Sequence, residues 1–417
     1  MAGSIRPLSL DVTPGAVGAF VEERRDELIE FACQLIAIPS PSPPGSERAV
    51  AALVIERLQE LGIDDIAVLA REPERPNVVA RVSGRDDGPA LILNGHLDTK
   101  PPGDLSAWAT PPWSPTITNG ALAGLGSADM KGAVAAMVYA GAAVAATGAR
   151  GTLVLALTAD EEAGGAYGAR WLAEEGCLQG DACVIGEPSG IHRDWEAIRL
   201  VSRGSAIFTI RVRGTQMHSS LSDQLESVNA SVLMARLMAR LDRERSSLLA
   251  YAPHPLVERG PTLNVGLTVS SGVGYGILSG EAEFLSDIRA LPGMSREQIE
   301  ADLRSFLARA AAEDPGLEAE LVFEHWTPPS EIAAAHPIVG ALEDAAENVL
   351  GERVPFGAFP GGTDAPFFQL GAGIPTVPSF GPGLLTVAHA PNEAISIESI
   401  VQEAKIYALA ARTYLGA

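Results

Sequence analysis

Short, continuously apolar runs alternate along this chain with longer stretches whose apolar residues recur at helical spacing. An amphipathic helix is predicted over residues 17–38, broken by the proline-rich segment 39–45 (PSPSPPG), and a second helix over 46–61. Apolar strands come next at 77–82, 90–94, 152–158 and 182–185, separated by helical stretches such as 130–146 and 166–175. Strands that are apolar throughout and alternate with helices predict an α/β fold: a largely parallel sheet with helices on both faces.

Near residue 200 the rhythm changes. A strand at 206–213, a helix at 227–245, strands at 262–269 and 281–288, a helix at 295–312 and a strand at 317–323 spell βαββαβ. That is the split, ferredoxin-like α+β pattern, able to stand as a small domain. Residues 328–417 return to helix and strand alternation. The expected organisation is a catalytic domain built from residues 1–200 and 326–417, interrupted by a lid domain at 201–325. The 417 residues suit two domains of roughly 100–200 residues each.

Composition narrows the partners. Apolar residues make up 47% of the chain, enough for a large core and against disorder. The net charge of −22 repels phosphate backbones, so nucleic acid is excluded as a partner. Cys33, Cys177 and Cys183 give neither a disulfide framework nor zinc-finger spacing, which fits a reducing, cytoplasmic setting. Residues 1–20 lack a basic start followed by an apolar stretch, so no signal peptide is expected. The longest apolar run, 133–146, falls short of the ~20 residues a membrane span needs. A buried helix is expected there, and no membrane partner.

Five local patterns carry candidate chemistry. The strand 91–95 ends in His96 and Asp98, two residues apart and so on one face. Ligands of open α/β sheets gather at such carboxyl ends. Asp98 could fix the tautomer of His96, although taken alone a plain hydrogen-bonded pair is the commoner explanation of His-x-Asp. Asp129 stands where the Gly-rich stretch Gly124-Leu-Gly-Ser-Ala-Asp enters a helix. A helix N-cap is the simple alternative, and an acid at the third glycine position argues against a dinucleotide fingerprint. Asp160, Glu161 and Glu162 come just after the strand 153–157, Glu187 just after the strand ending at 185, and His389 lies in the segment Val387-Ala-His-Ala-Pro-Asn-Glu393. Adjacent acids repel unless solvent or a cation offsets them. Taken together, two histidines and three carboxylates suit a metal pair, one carboxylate bridging ions ~3.5–4 Å apart. Two dications would also balance an acidic cleft that is otherwise strongly destabilising.

In order and context, these motifs resemble those of the M20 metallopeptidases, the group containing acetylornithine deacetylases, succinyl-diaminopimelate desuccinylases, carboxypeptidase G2-like enzymes and aminoacylases. The resemblance spans nearly the whole chain. It implies two Zn²⁺ ions, with Co²⁺ or Mn²⁺ able to replace them. It implies that His96 and Glu187 hold one ion, Glu162 and His389 the other, and that Asp129 bridges both. By the same resemblance, Glu161 is the general base acting on the bridging water, and Asp98 orients His96. Spacing alone leaves open which of Glu161 and Glu162 is the base.

Further site residues also come from the resemblance. His218, in Gly214-Thr-Gln-Met-His-Ser-Ser, matches a lid histidine that reaches a partner subunit's site, with a surface histidine as the alternative. Arg289, in Ser286-Asp-Ile-Arg, matches an arginine that grips a substrate carboxylate, a task suited to a planar guanidinium. Gly362 and Thr363 match a substrate-side Gly-Gly-Thr-Asp loop. One departure stands out: residues 276–279 (Gly-Ile-Leu-Ser) replace the usual Asn-Val-Ile-Pro-like segment. The implied activity is deacylation of a small N-acyl amino acid by a homodimer joined through the lid. A peptidase acting on short peptides is the near alternative, and a non-catalytic binding protein on the same scaffold the remote one. A phosphoesterase would want an arginine cluster that the site motifs lack.

Overall fold

The apolar runs pair into a six-stranded sheet in the order Ile66–Ala70, Pro76–Val82, Thr152–Thr158, Ala90–His96, Ala182–Ile185, Thr376–Val377. The structure is a computed structural model that describes residues 14–416; most of the segment expected to lack a leader, residues 1–13, lies outside them. From Thr152–Thr158 to Thr376–Val377 every pairing is parallel, while the first two pairings are antiparallel. Leu91, Ile92, Leu155, Leu157 and Val184 are fully buried, as strands covered on both faces require.

Helix Gly132–Thr147 shows why the longest apolar run is so rich in alanine. It has no polar face, and nearly every residue in it is buried. Gly141 has room for little more than hydrogen, since a Cβ there would lie 3.1 Å from Leu155 Cδ1. Small side chains let this helix sit close to the sheet and to the long helix Ile397–Leu415. The stretch Ser127–Thr147 is long and apolar enough to cross a membrane, but 94% of its most apolar window is buried inside the protein.

The predicted opening helix is two helices, Pro14–Glu23 and Arg25–Ala37. Arg24 leaves helical geometry at φ −111°, ψ 16°, and its guanidinium stacks 4.0 Å above the Phe20 ring. Neither proline nor glycine marks the break, so the apolar period runs straight through it.

The chain divides into two compact units. Among the described residues, the first comprises 14–201, 331–359 and 363–416, and the second 202–330 with 360–362. The second unit is a four-stranded antiparallel sheet ordered Thr262–Ser271, Glu281–Ala290, Gly204–Arg213, Glu318–Thr327. Its helices, Ala230–Leu248 and Arg296–Glu313, are each started by a side-chain cap. Asn229 accepts from Ser231 N and Val232 N, and Ser295 accepts from Gln298 N. Leu233, Leu237, Leu241, Leu303 and Phe306 fill the unit's core. This is the split α+β arrangement that the βαββαβ order predicts.

Candidate metal centre and active site

Three neighbouring parallel strands of the first unit end side by side, with His96 in register with Thr158 and Asn94 with Ile185. Parallel strands share one direction, so the segments leaving their carboxyl ends meet at one edge of the sheet. Those segments carry Asp98, then Asp160, Glu161 and Glu162, then Glu187, all buried except the partly exposed Glu161.

Asp129 joins them from the turn Ser127–Lys131, just before helix Gly132–Thr147. Its backbone is non-helical (φ −128°, ψ 89°), and its carboxylate caps nothing. Instead Oδ1 lies 3.0 Å from His96 Nε2, and Oδ2 lies 3.1 Å from His389 Nε2. His389 Nε2 is also 3.1 Å from Glu162 Oε1, and His96 Nε2 is 3.6 Å from Glu187 Oε1. One carboxylate thus faces two histidines, and each histidine has a second carboxylate of its own. His96 Nδ1 is 2.9 Å from the Asp98 backbone carbonyl, while the Asp98 carboxylate stands further off at 3.6 Å. That carboxylate accepts the backbone N–H groups of Glu161 and Glu162 at 3.2 and 3.1 Å. Asp98 therefore braces the acidic turn as well as standing behind the histidine.

The charges in this array do not balance by themselves. Burial, then the neighbouring Glu187, pushes Glu161 well above the usual carboxylate range; burial, then Asp129, does the same to Glu187. Burial raises Asp98 to about 7. Burial alone would lower His96, but Asp129, Glu187 and Asp98 together outweigh it and hold the imidazole well above its ordinary value. His389 rises to about 10 through its hydrogen bonds to Asp129 and Glu162. Protons held this tightly by histidines and acids stand where cations belong. His96, Asp129 and Glu162, and likewise His96, Glu161 and Glu187, offer ligand atoms within 4.8 Å of one another. Imidazole and carboxylate donors in this proportion fit divalent zinc, cobalt or manganese.

Residues 92–413 match the family model for peptidase family M20/M25/M40. The chain belongs to the M20 family. Acetylornithine deacetylase of Vibrio campbellii is 32% identical over 354 residues, covering 84% of this chain and 88% of the relative. Succinyl-diaminopimelate desuccinylase of Xanthomonas euvesicatoria is 32% identical over 292 residues, covering 68% of this chain and 74% of the relative. Among solved structures, a dinuclear metal binding M20 peptidase of Bacillus subtilis superposes with a TM-score of 0.69 at 18% identity, covering 94% of this chain and 99% of the other. The chain is accordingly an M20 hydrolase of amide bonds, from a metal-dependent family, with a candidate metal site on its catalytic sheet.

The first unit of this M20 enzyme brings together His96, Asp98, Asp129, Glu161, Glu162, Glu187 and His389, and also holds Thr363. Thr363 is buried, its Oγ accepting from Ala365 N at 3.2 Å. His218, Arg289 and Gly362 belong to the second unit. His218 is exposed, and its Nδ1 accepts from Ser220 N at 3.2 Å. The short strand Met217–His218 pairs with Ile277–Leu278, so the unusual 276–279 segment lies directly beside His218. Arg289 Nε donates to Asp287 Oδ2 at 2.9 Å.

Sequence reasoning missed two contributors in the first unit. Glu393 is buried and accepts from the backbone N–H groups of Gly126, Ala128 and Asp129 at 3.0, 2.7 and 3.0 Å, fixing the loop that carries Asp129. Its only signal is its nearness to His389. Lys100 donates to the Glu162 carbonyl and lies 3.2 Å from Glu162 Oε2, so the two carboxylate oxygens of Glu162 face different cations.

Proposed function

We propose that this M20 enzyme is a two-zinc amidohydrolase that removes the acyl group from an N-acylated amino acid. The observation that carries this reading is the pairing of His96 and His389 across the two oxygens of Asp129. His96, Asp129 and Glu187 are the donors for one ion, and His389, Asp129 and Glu162 the donors for the other. Zinc bound there supplies Lewis acidity toward the amide carbonyl and acidifies water near neutral pH.

The chain's own residues supply the rest. Glu162 is committed to His389 and Lys100, whereas the Glu161 carboxylate forms no hydrogen bond among the described residues. Glu161 is therefore the proton carrier, taking a proton from the attacking water and delivering it to the leaving amine. Asp98 keeps Glu161 aimed by accepting its backbone N–H. By the family resemblance, we further propose substrate binding for Gly362, Thr363 and Arg289, and oxyanion contact in a partner subunit's site for His218. Deacylation leads because both curated relatives are named for removing an acyl group, acetyl or succinyl. Cleavage of short peptides is the second reading, favoured by the Bacillus subtilis structure being that of a peptidase. A cytoplasmic setting agrees with the three free cysteines.

The test is zinc content together with turnover of an N-acyl amino acid panel, for wild type and Glu161→Ala. Two zinc ions per chain in both proteins, with turnover reduced roughly 10²- to 10⁴-fold in the variant, is the expected result. Full zinc with turnover of peptides alone would transfer the assignment to the peptidase reading. Failure to bind zinc would end both.

A further inference from the structure

We propose that Arg75 is a positioning residue for this site: through Asp160 it fixes the turn that carries Glu161 and Glu162. The inference rests on the roles just given to those two glutamates.

The turn needs fixing. Asp160 has φ +65°, a left-handed conformation that is sparsely populated by residues other than glycine. Such a backbone persists only when its surroundings over-determine it. The carbonyl of Asp160 accepts Gly165 N at 2.7 Å, closing the turn around both glutamates. Its Oδ2 accepts Tyr167 N at 3.2 Å, and its Oδ1 accepts Arg75 Nη2 at 2.8 Å and Ser42 Oγ at 3.3 Å.

Arg75 is itself anchored. Its Nε and Nη2 donate to Glu47 Oε2 and Oε1 at 2.6 and 2.8 Å, a bidentate fork, and its guanidinium lies 5.0 Å from the Tyr167 ring centroid. Arg75 is 7% exposed, and Ser42, Glu47 and Asp160 are 2% or less. The proline-rich 39–45 loop is shaped to admit it. Gly45 has φ +82°, and a Cβ there would lie 2.1 Å from Arg75 Cζ. The same loop reaches the other ligand strand, where Ser42 N donates to Thr99 O at 2.8 Å and Ser40 Oγ to Leu97 O at 2.7 Å.

The acidic turn is thus held from two sides. Asp98 takes the backbone N–H groups of Glu161 and Glu162, and Arg75 holds the preceding aspartate from behind. One buried guanidinium faces two buried carboxylates, and a planar fork can serve both at once. Lysine would keep the charge and lose one of the two grips.

The experiment compares wild type with Arg75→Lys and Glu47→Gln. Three quantities are read: zinc affinity by competition with a chromogenic chelator, kcat and KM on the best acyl amino acid, and amide hydrogen exchange over residues 160–167. In Arg75→Lys, zinc affinity at one of the two sites and kcat each fall roughly 10- to 100-fold, as for other residues that orient metal ligands. KM stays within about twofold, since no substrate contact is lost, and exchange over 160–167 accelerates. Glu47→Gln moves the same readouts in the same direction by less, and it serves alone if Arg75→Lys fails to fold. A folded Arg75→Lys with wild-type zinc affinity, kcat and exchange overturns the proposal. So does a variant whose sole change is a lower melting temperature. The zinc and exchange readouts need no substrate, so a wild type that turns over no acyl amino acid refutes the functional reading while they still decide the role of Arg75.

Discussion

Glu403 lies fully buried on the helix Ile397–Leu415, and burial pushes its carboxyl well above the usual carboxylate range, against a smaller opposing effect of Tyr407. The folded state therefore prefers its protonated form. That preference contributes in full below the unfolded value of 4.5 and is lost as pH rises toward the folded value, at about 1.4 kcal/mol per pH unit. Glu403→Gln keeps the shape and removes the titration. Calorimetry should find the two proteins closest in melting temperature near pH 4, with the variant ahead by a widening margin toward pH 8. A constant difference across that range would reject the idea. Other residues were easier to read from sequence. His96, Asp129, Glu162 and Glu187 each come after an apolar run or a glycine-rich loop, where a side chain must leave the sheet edge. Arg75 and Glu393 were not legible, because their roles depend on partners distant in sequence: Glu47 and Asp160 for one, the amides of residues 126–129 for the other.

Among the elements, strand Thr262–Ser271 is the outer strand of the second unit's sheet, paired on one side with Glu281–Ala290. Leu267 and Val269 on it are each 54% exposed, and Val273 and Tyr275 just beyond are more exposed still. An apolar outer strand with an open ladder is a surface that a second copy can extend, and we propose it as the contact of the expected homodimer. Val269→Arg should convert that dimer to a monomer in sedimentation equilibrium; a wild type already monomeric at micromolar concentration would refute it. The strands of the sheet interior were legible because they are apolar on both faces. Ile66–Ala70 was not, since much of it faces solvent, and nothing in the apolar pattern marks that Pro76–Val82 runs antiparallel to both of its neighbours. Helix 130–146 was predicted two residues early because Met130 is apolar, whereas the backbone at Asp129 and Met130 bends to present a carboxylate.

The molecule as a whole carries 52 acidic against 30 basic residues, and Asp129, Glu161, Glu162 and Glu187 meet His96 in its candidate metal site. Burial and Asp129 favour the protonated form of Glu187, and zinc held by the proposed ligands would have to displace that proton. Zinc should therefore bind more tightly at pH 8 than at pH 6 and release protons as it does, which calorimetry in buffers of different ionisation enthalpy measures directly. At a thousandfold excess over its dissociation constant zinc adds about 4 kcal/mol of stability, so chelation should lower the melting temperature sharply. The bonds from Glu393 to the Asp129 loop carry a consequence for biosynthesis. A ribosome delivers residues in order, so His96, Asp129, Glu162 and Glu187 emerge and wait while the entire second unit is made. The loop behind Asp129 gains its three-amide anchor, and the second ion its histidine, only when the segment 389–393 appears. On the proposed ligand set, zinc reaching the nascent chain earlier would find the second site lacking its histidine, and full loading belongs after translation has passed that segment.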